Sequence, residues 1–282
     1  MKIEFLGTGG AMAAPRPLCH CHVCNEAREK GVPYSRSGPS VFIHGPNVLI
    51  DTPEDSYMQL NRSSVQKIDG VLYSHWHPDH VMGRRVLETM NADWINYPPN
   101  GTTMDVYLPE QVGIDFNTRL GSGEHLSFFE SQNYIAIHHL TDGESITQNG
   151  VTITPFRLSE DYVYAFLFEG DKRVLIAPDE LYGWNPPDLG ELDLAVVPSG
   201  VFEFNPLTGK RQILEEHPVL SEEATFEQTL EIIGKLNVKQ VLFTHIEEPD
   251  RLGYDDLVKV EEKLKLEGKN VSFAYDTLLV NV

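Results

Sequence analysis

The run Ser74-His75-Trp76-His77-Pro78-Asp79-His80 sets three imidazoles and a carboxylate within six positions, directly behind the apolar stretch Gly70-Val71-Leu72-Tyr73. A short buried strand over residues 70–73 leaves this segment as a loop at its C-terminal end, where side chains converge on one point. Imidazole nitrogen and carboxylate oxygen suit zinc, manganese or iron, and two ions need about this many ligands. A lone loop histidine would need no such explanation, but four of these groups in six positions do. His75 and His77 alternate in direction and can grip one ion. Past the turn at Pro78, Asp79 and His80 can hold a second. Two ions roughly 3.5 to 4 Å apart share a water, lower its pKa and stabilise both the attacking and the leaving oxygen of a displacement. The spacing therefore predicts hydrolytic chemistry.

Strand-like runs recur along the 282 residues at 2–6, 40–43, 48–51, 70–73, 105–108, 134–137, 151–156, 163–168, 173–177, 192–197, 240–243, 271–275 and 278–280. Helical patterns lie at 56–62, 109–117, 221–236 and 254–266, the third with Ser221 as its cap, acids in its first turn and Leu230, Ile233 and Leu236 as its buried stripe. No linker rich in Ser, Gly or Pro interrupts them, so a single domain over 1–282 is expected, of mixed α and β class. Two connections are long, 89–104 with Pro98-Pro99-Asn100-Gly101, and 198–217. Connections of that length form lids, substrate walls or disordered segments, and their rings Trp94, Tyr97, Phe202 and Phe204 either line a pocket or anchor the loops.

A formal charge of -20 repels phosphate backbones at long range, and no basic patch is evident, so a small substrate fits better than a long polyanion. No apolar run approaches a membrane span, and the chain starts at once as a strand rather than a signal peptide; a cytoplasmic protein with no membrane partner is expected. Its three cysteines, Cys19, Cys21 and Cys24, are too crowded for an ordinary disulfide framework and look like a metal clip.

The histidine motif, together with Gly7-Thr8-Gly9-Gly10 after the first strand, Asp51 closing the third, Asp179 after a later one and Thr244-His245-Ile246 near the end, resembles the metallo-β-lactamase fold superfamily over nearly the whole chain. Cys-x-Cys-x-x-Cys soon after the glycine turn is similar to the PhnP-like phosphodiesterases and to the PqqB proteins. The resemblance implies a four-layer αβ/βα sandwich of two mixed β-sheets flanked by helices. It implies that His75 and His77 bind a first ion, that Asp79, His80 and His245 bind a second, and that Asp179 bridges. The family's remaining histidine for the first ion should fall near Leu158-Ser159-Glu160-Asp161, where none exists. Glu160 is the expected substitute, with Asp161 one register away and Ser159 the case in which the ligand is absent. A carboxylate there tilts preference from zinc toward manganese or iron. His138 and His139 are read as surface or edge-strand residues.

Asp51 is expected to orient a ligating histidine through its second ring N–H. His217 resembles the non-ligand histidine of phosphodiesterases of this fold and, with Asp79 at the metals, is the expected catalytic residue, protonating the leaving oxygen. In the PhnP-like pattern the clip's fourth ligand maps to Glu248; His20 or His22 could turn inward instead. The expected cofactors are two divalent ions, zinc or manganese, in the active site and one structural zinc. The leading expectation is a phosphodiesterase acting on a small phosphodiester or cyclic phosphate through metal-activated water, with Arg or Lys from the long loops neutralising the phosphoryl oxygens. A non-hydrolytic PqqB-like binder and a tRNA-processing-type ribonuclease are the alternatives, lactone or thioester hydrolysis is a further possibility, and the oligomeric state, monomer or homodimer, stays open.

Overall fold

Strands 164–168, 174–177, 194–197 and 241–243 are apolar at every position, a pattern that only a sheet covered on both faces can use. The computed structural model, which describes residues 1–97 and 99–282, shows why. One sheet contains β1 (Lys2–Gly7), β2 (Ser40–His44), β3 (Val48–Ile50), β4 (Gly70–Leu72), β5 (Met104–Pro109) and β6 (Ile135–Leu140). The other contains β7 (Ile146–Gln148), β8 (Val151–Arg157), β9 (Tyr164–Glu169), β10 (Arg173–Ile176), β11 (Leu194–Pro198), β12 (Val241–Thr244) and β13 (Val271–Phe273). The last strand, β14 (Leu279–Asn281), returns to the first sheet and pairs with β1. The sheet orders are β14-β1-β2-β3-β4-β5-β6 and β13-β12-β11-β10-β9-β8-β7.

Alternation along each strand of the second sheet divides its side chains between two cores. Tyr164, Phe166, Phe168, Val174, Ile176, Leu194, Val196 and Leu242 meet residues of the first sheet such as Phe5, Ile43, Val48 and Ile50. Ala165, Leu167, Leu175, Ala177, Ala195, Val197 and Phe243 face the other way, onto residues of α7 (Phe226–Ile233) and α8 (Tyr254–Leu266). The first sheet is covered by α2 (Ser56–Arg62), α4 (Val86–Asn91), α5 (Glu110–Thr118) and α6 (Ser122–Ser131), whose Leu87, Val112, Phe116, Leu126 and Phe129 join the same core. The αβ/βα sandwich of two mixed sheets is the observed architecture. No described helix is long and apolar enough to cross a membrane.

Several elements differ from the sequence reading. Helix α1 (His22–Lys30) was not expected because its apolar face is short, Val23, Cys24 and Ala27 alone being buried. β7, α4 and α6 also lacked a strong period. The helix expected over 221–236 instead begins with a short 3-10 turn, Pro218–Ser221, and α7 starts at Phe226. Thr225 is its cap, with Gln228 closing a reciprocal capping box, so Ser221 does not serve. Of the long connections, Phe202 is fully buried against Phe226 and Phe204 packs under Arg211, which makes them anchors. Trp94 and Tyr97 are almost wholly exposed, and neighbouring Pro98 lies outside the described residues.

Candidate metal centre

Strands β3, β4 and β5 run parallel, as do β10, β11 and β12, and ligands of such sheets gather at the carboxyl ends of the strands. Asp51 follows β3, the His75–His80 segment follows β4, Asp179 follows β10 and His245 follows β12. Pro78 opens a single helical turn, α3 (Pro78–Val81), that presents Asp79 and His80 together. Asp51 and His245 both sit in the left-handed region, at φ 59° and 52°, a conformation that non-glycine residues adopt at a cost and that recurs at functional sites.

Two groups of donors result, His75 with His77 and Asp179, and Asp79 with His80 and His245. Asp179 reaches both: its Oδ2 lies 3.2 Å from His75 Nε2 and 3.6 Å from His80 Nε2, and its Oδ1 lies 3.4 Å from His245 Nε2. Asp79 Oδ2 stands 3.4 Å from His80 Nε2 and 3.6 Å from His245 Nε2. Donors on one tetrahedral zinc, each about 2.0 Å from the ion, are roughly 3.3 Å apart. The Nε2 atoms of His75, His80 and His245 are buried and have no hydrogen-bond partner. Such orphaned atoms are costly unless an ion completes them, so these residues fit two divalent metals.

The ring orientations are held from behind. Ser74 donates from N and Oγ to Asp51 at 2.8 and 2.6 Å, and His80 Nδ1 donates to Asp51 Oδ2 at 2.7 Å. His75 Nδ1 lies 3.0 Å from Ser74 Oγ, which accepts because its own proton is committed to Asp51. Both histidines therefore offer Nε2 to a metal, as second-layer carboxylates and hydroxyls usually arrange. Glu247, accepting from the N–H groups of Ala11 and Met12, stands 3.7 Å from His245 Nδ1. A Cβ on Gly10 would collide with that carboxylate, which is why the turn is glycine here.

Burial lowers the His245 imidazole's proton affinity, but Asp179, Asp79 and Glu247 overcome it and raise the pKa to about 10. His80 is raised for the same reason, against burial, by Asp79 and Asp51. Burial opposes ionisation of Asp79 and Asp179 too, yet the facing histidines hold both well below the usual carboxylate range. His77 goes the other way, to about 4, through burial and the nearby His75. Protons thus stand in for cations in the second group, and metal binding would release them.

Glu160 does not join the first group. The turn after β8 closes on itself, Leu158 N–H donating to Val163 O at 2.8 Å and Val163 N–H to Glu160 O at 3.2 Å. This directs the Glu160 carboxylate to the Tyr162 phenol, whose proton is held tighter than usual by burial and by Glu160. The Tyr162 ring stands 5.5 Å from that of His77 and forms the wall where a further imidazole was sought. Glu160, Asp161 and Tyr162 line the cleft together with Asp79, Asp179 and His245, and Ser159 does not. His138 and His139 are exposed on β6, the edge strand of the first sheet.

The cleft measures about 520 Å³. Beside the ligands Asp79 and Asp179, its walls carry Glu160, Asp161, Glu180, Glu222, Glu223 and Glu247, and no Lys or Arg. The expectation of cationic side chains from the long loops is not met: 89–104 contains no Lys or Arg, and in 198–217 Arg211 pairs with Glu203 while Lys210 is exposed. His217 is also absent from the lining: it is exposed, and its Nδ1 accepts from Val219 N–H at 3.1 Å as the cap of the 3-10 turn. That turn delivers Glu222 and Glu223 to the cleft instead. Burial and Asp179 push the Glu223 carboxyl up to about 7 and that of Glu180 to about 8.

A second donor set lies apart. Cys19, Cys21 and Cys24 surround Glu248, whose Oε1 lies 3.4, 2.7 and 3.3 Å from their sulfurs. Cys21 caps α1, its sulfur accepting from Cys24 N–H. Three thiolates and a carboxylate suit a closed zinc site, and Arg16 Nε at 3.5 Å and Arg251 Nη1 at 3.2 Å from Glu248 offset the surplus negative charge. Glu248 therefore takes the fourth position in the geometry, and His20 and His22 are exposed.

A family model described as the beta-lactamase superfamily domain matches residues 46–246. The chain belongs to the beta-lactamase superfamily. Among curated proteins, this superfamily member is 24% identical over 233 residues to ribonuclease Z of Bradyrhizobium diazoefficiens, covering 77% of this chain and 70% of that one. The chain spans 18% to 70% of the length of the curated relatives it matches. Among solved structures it superposes on a diphosphatase from the PhnP family with a TM-score of 0.71 and 24% identity, covering 100% of this chain and 97% of the other. Zinc-bound PqqB from Methylobacterium extorquens gives a TM-score of 0.75 at 14% identity, with 100% of each chain covered. These likenesses show the metallo-β-lactamase fold of a hydrolase superfamily whose members bind divalent metals.

Proposed function

We propose that this protein is a metal-dependent phosphodiesterase acting on a small phosphodiester or cyclic phosphate. The observation that carries the reading is the convergence of three buried, unpartnered Nε2 atoms with Asp79 and Asp179 on the floor of a cleft of small-molecule size. His75, His77 and Asp179 would hold one ion, and Asp79, His80 and His245, sharing Asp179, the other. Bound zinc or manganese would supply Lewis acidity and bring a water's pKa toward neutrality. Asp51 and Ser74 keep the histidine tautomers fixed while the substrate changes. Glu223 replaces His217 as the proposed proton source, because it stands in the cleft, where its carboxyl can pass a proton to the leaving oxygen, and His217 does not. Relatives named as a diphosphatase and as ribonucleases are consistent with attack at phosphorus, while the acidic cleft argues against a polyanionic RNA. Cysteines kept as metal ligands suit a reducing, cytoplasmic compartment and a structural zinc.

A second reading, a PqqB-like binder without turnover, draws on the first group having only three donors. Metal analysis of the native protein followed by assay with bis(p-nitrophenyl) phosphate separates the two. Two active-site ions and turnover that EDTA removes and His77→Ala abolishes are expected. Two bound ions with no turnover would remove the phosphodiesterase reading, and one or none would favour the binder.

A further inference from the structure

The cleft walls pose a chemical puzzle for a phosphodiesterase, since the group that flanks the reacting phosphate must lie among carboxylates. Two divalent ions, balanced by Asp79 and Asp179, would leave the floor only moderately positive. Above it stand Glu160, Asp161 and Glu222, with Tyr162 between the first two and the His77 ring. The acidic residues do not find basic partners at the rim. Arg157, which borders Asp161, sends Nε to Asp142 at 2.7 Å and Nη1 to the Asp161 backbone carbonyl at 2.8 Å, so it attracts the Asp161 carboxylate without pairing with it. Glu180 and Glu247 differ, because they accept backbone N–H groups from Tyr182 and Ala224, and from Ala11 and Met12. The floor is marked independently as a ligand site by the fully buried His75 and His80, whose unpartnered Nε2 atoms stand 3.2 Å from Asp179 and 3.4 Å from Asp79, two carboxylates that line the cleft.

An anionic floor ligand beside an anionic wall is a zwitterion's complement. We propose that the substrate is a small phosphodiester carrying an organic ammonium group, with the phosphoryl at the dinuclear floor and the ammonium against Asp161, Glu222 and the Tyr162 ring. Carboxylates supply the long-range attraction, and the aromatic face accepts a cation that need not donate a hydrogen bond. A neutral ester gains nothing from this wall, and a second phosphate is repelled by it.

This inference rests on the phosphodiesterase reading, and a matched pair of probes separates the two. The metal-loaded full-length protein is assayed with p-nitrophenyl phosphorylcholine and with p-nitrophenyl 3,3-dimethylbutyl phosphate, which differ only in a nitrogen for a carbon. A kcat/KM at least about tenfold higher for the choline ester, expressed mainly in KM and reduced by 0.5 M salt, is expected. Asp161→Asn with Glu222→Gln should bring the ratio close to one. Equal kcat/KM values for the two esters overturn the ammonium proposal while leaving the hydrolase standing. If neither ester is cleaved, calorimetric binding of phosphocholine against 3,3-dimethylbutyl phosphate decides the matter: tighter phosphocholine binding keeps the ammonium site as the hydrolase reading falls, and equal binding removes both.

Discussion

The two donor clusters use adjacent residues for opposite ends. Glu247 turns toward His245 and the catalytic floor, and Glu248, next in sequence, turns toward the three cysteines. The floor is built of nitrogen and oxygen donors brought by strands from both sheets, and its unpartnered atoms open onto a cleft. The cysteine site takes three ligands from one short loop and its helix, surrounds its fourth, and is neutralised by arginines. An arrangement that leaves coordination positions facing a cavity can do chemistry, whereas one that uses them all can only hold parts together.

That contrast can be broken at its strongest point first. Asp179→Asn should cost at least about a thousandfold in turnover of bis(p-nitrophenyl) phosphate and lower the active-site metal content, because this one carboxylate faces both donor groups; elemental analysis beside the assay checks it. Cys24→Ser should remove one zinc and lower the melting temperature by roughly 5–10 °C, while kcat falls less than about tenfold. A loss of turnover as deep as that of Asp179→Asn would show that the clip belongs to the catalytic machinery. The smallest expected change is from Glu248→His, which should hold zinc more tightly against a chelator and raise the melting temperature by about 1–3 °C, with kcat unchanged.

The catalytic floor was legible because its residues sit where strands end. A short apolar run, at 48–50, 70–73 or 241–243, just ahead of Asp51, His75 or His245 announces both the strand and the end at which these side chains are delivered. The strands were legible as apolar runs, but runs apolar at every position carry no period two and say only mixed α and β, so the two-sheet sandwich rested on the family resemblance. What escaped was decided by turns. The register of Leu158 to Val163 determines whether Glu160 or Tyr162 meets His77, and that register depends on two backbone hydrogen bonds that side-chain types do not reveal. Likewise the 3-10 turn at Pro218 rotates His217 outward and Glu223 inward, exchanging a histidine for a carboxylic acid. The charge of the cleft was beyond reach altogether, because Asp161, Glu180 and Glu222 are distant in sequence and meet only when the second sheet has formed.

Asp276 accepts from Thr8 N and Oγ at 2.9 and 2.8 Å, from Ser37 N and Oγ at 2.8 and 2.6 Å, and from Arg62. It follows β13 and fastens the glycine turn behind β1, across 268 positions of sequence. On a ribosome the glycine turn emerges early and must wait, unfastened, for nearly all the sequence shown here to be made. His245 arrives almost as late. The second donor group is therefore complete only once His245 has been made.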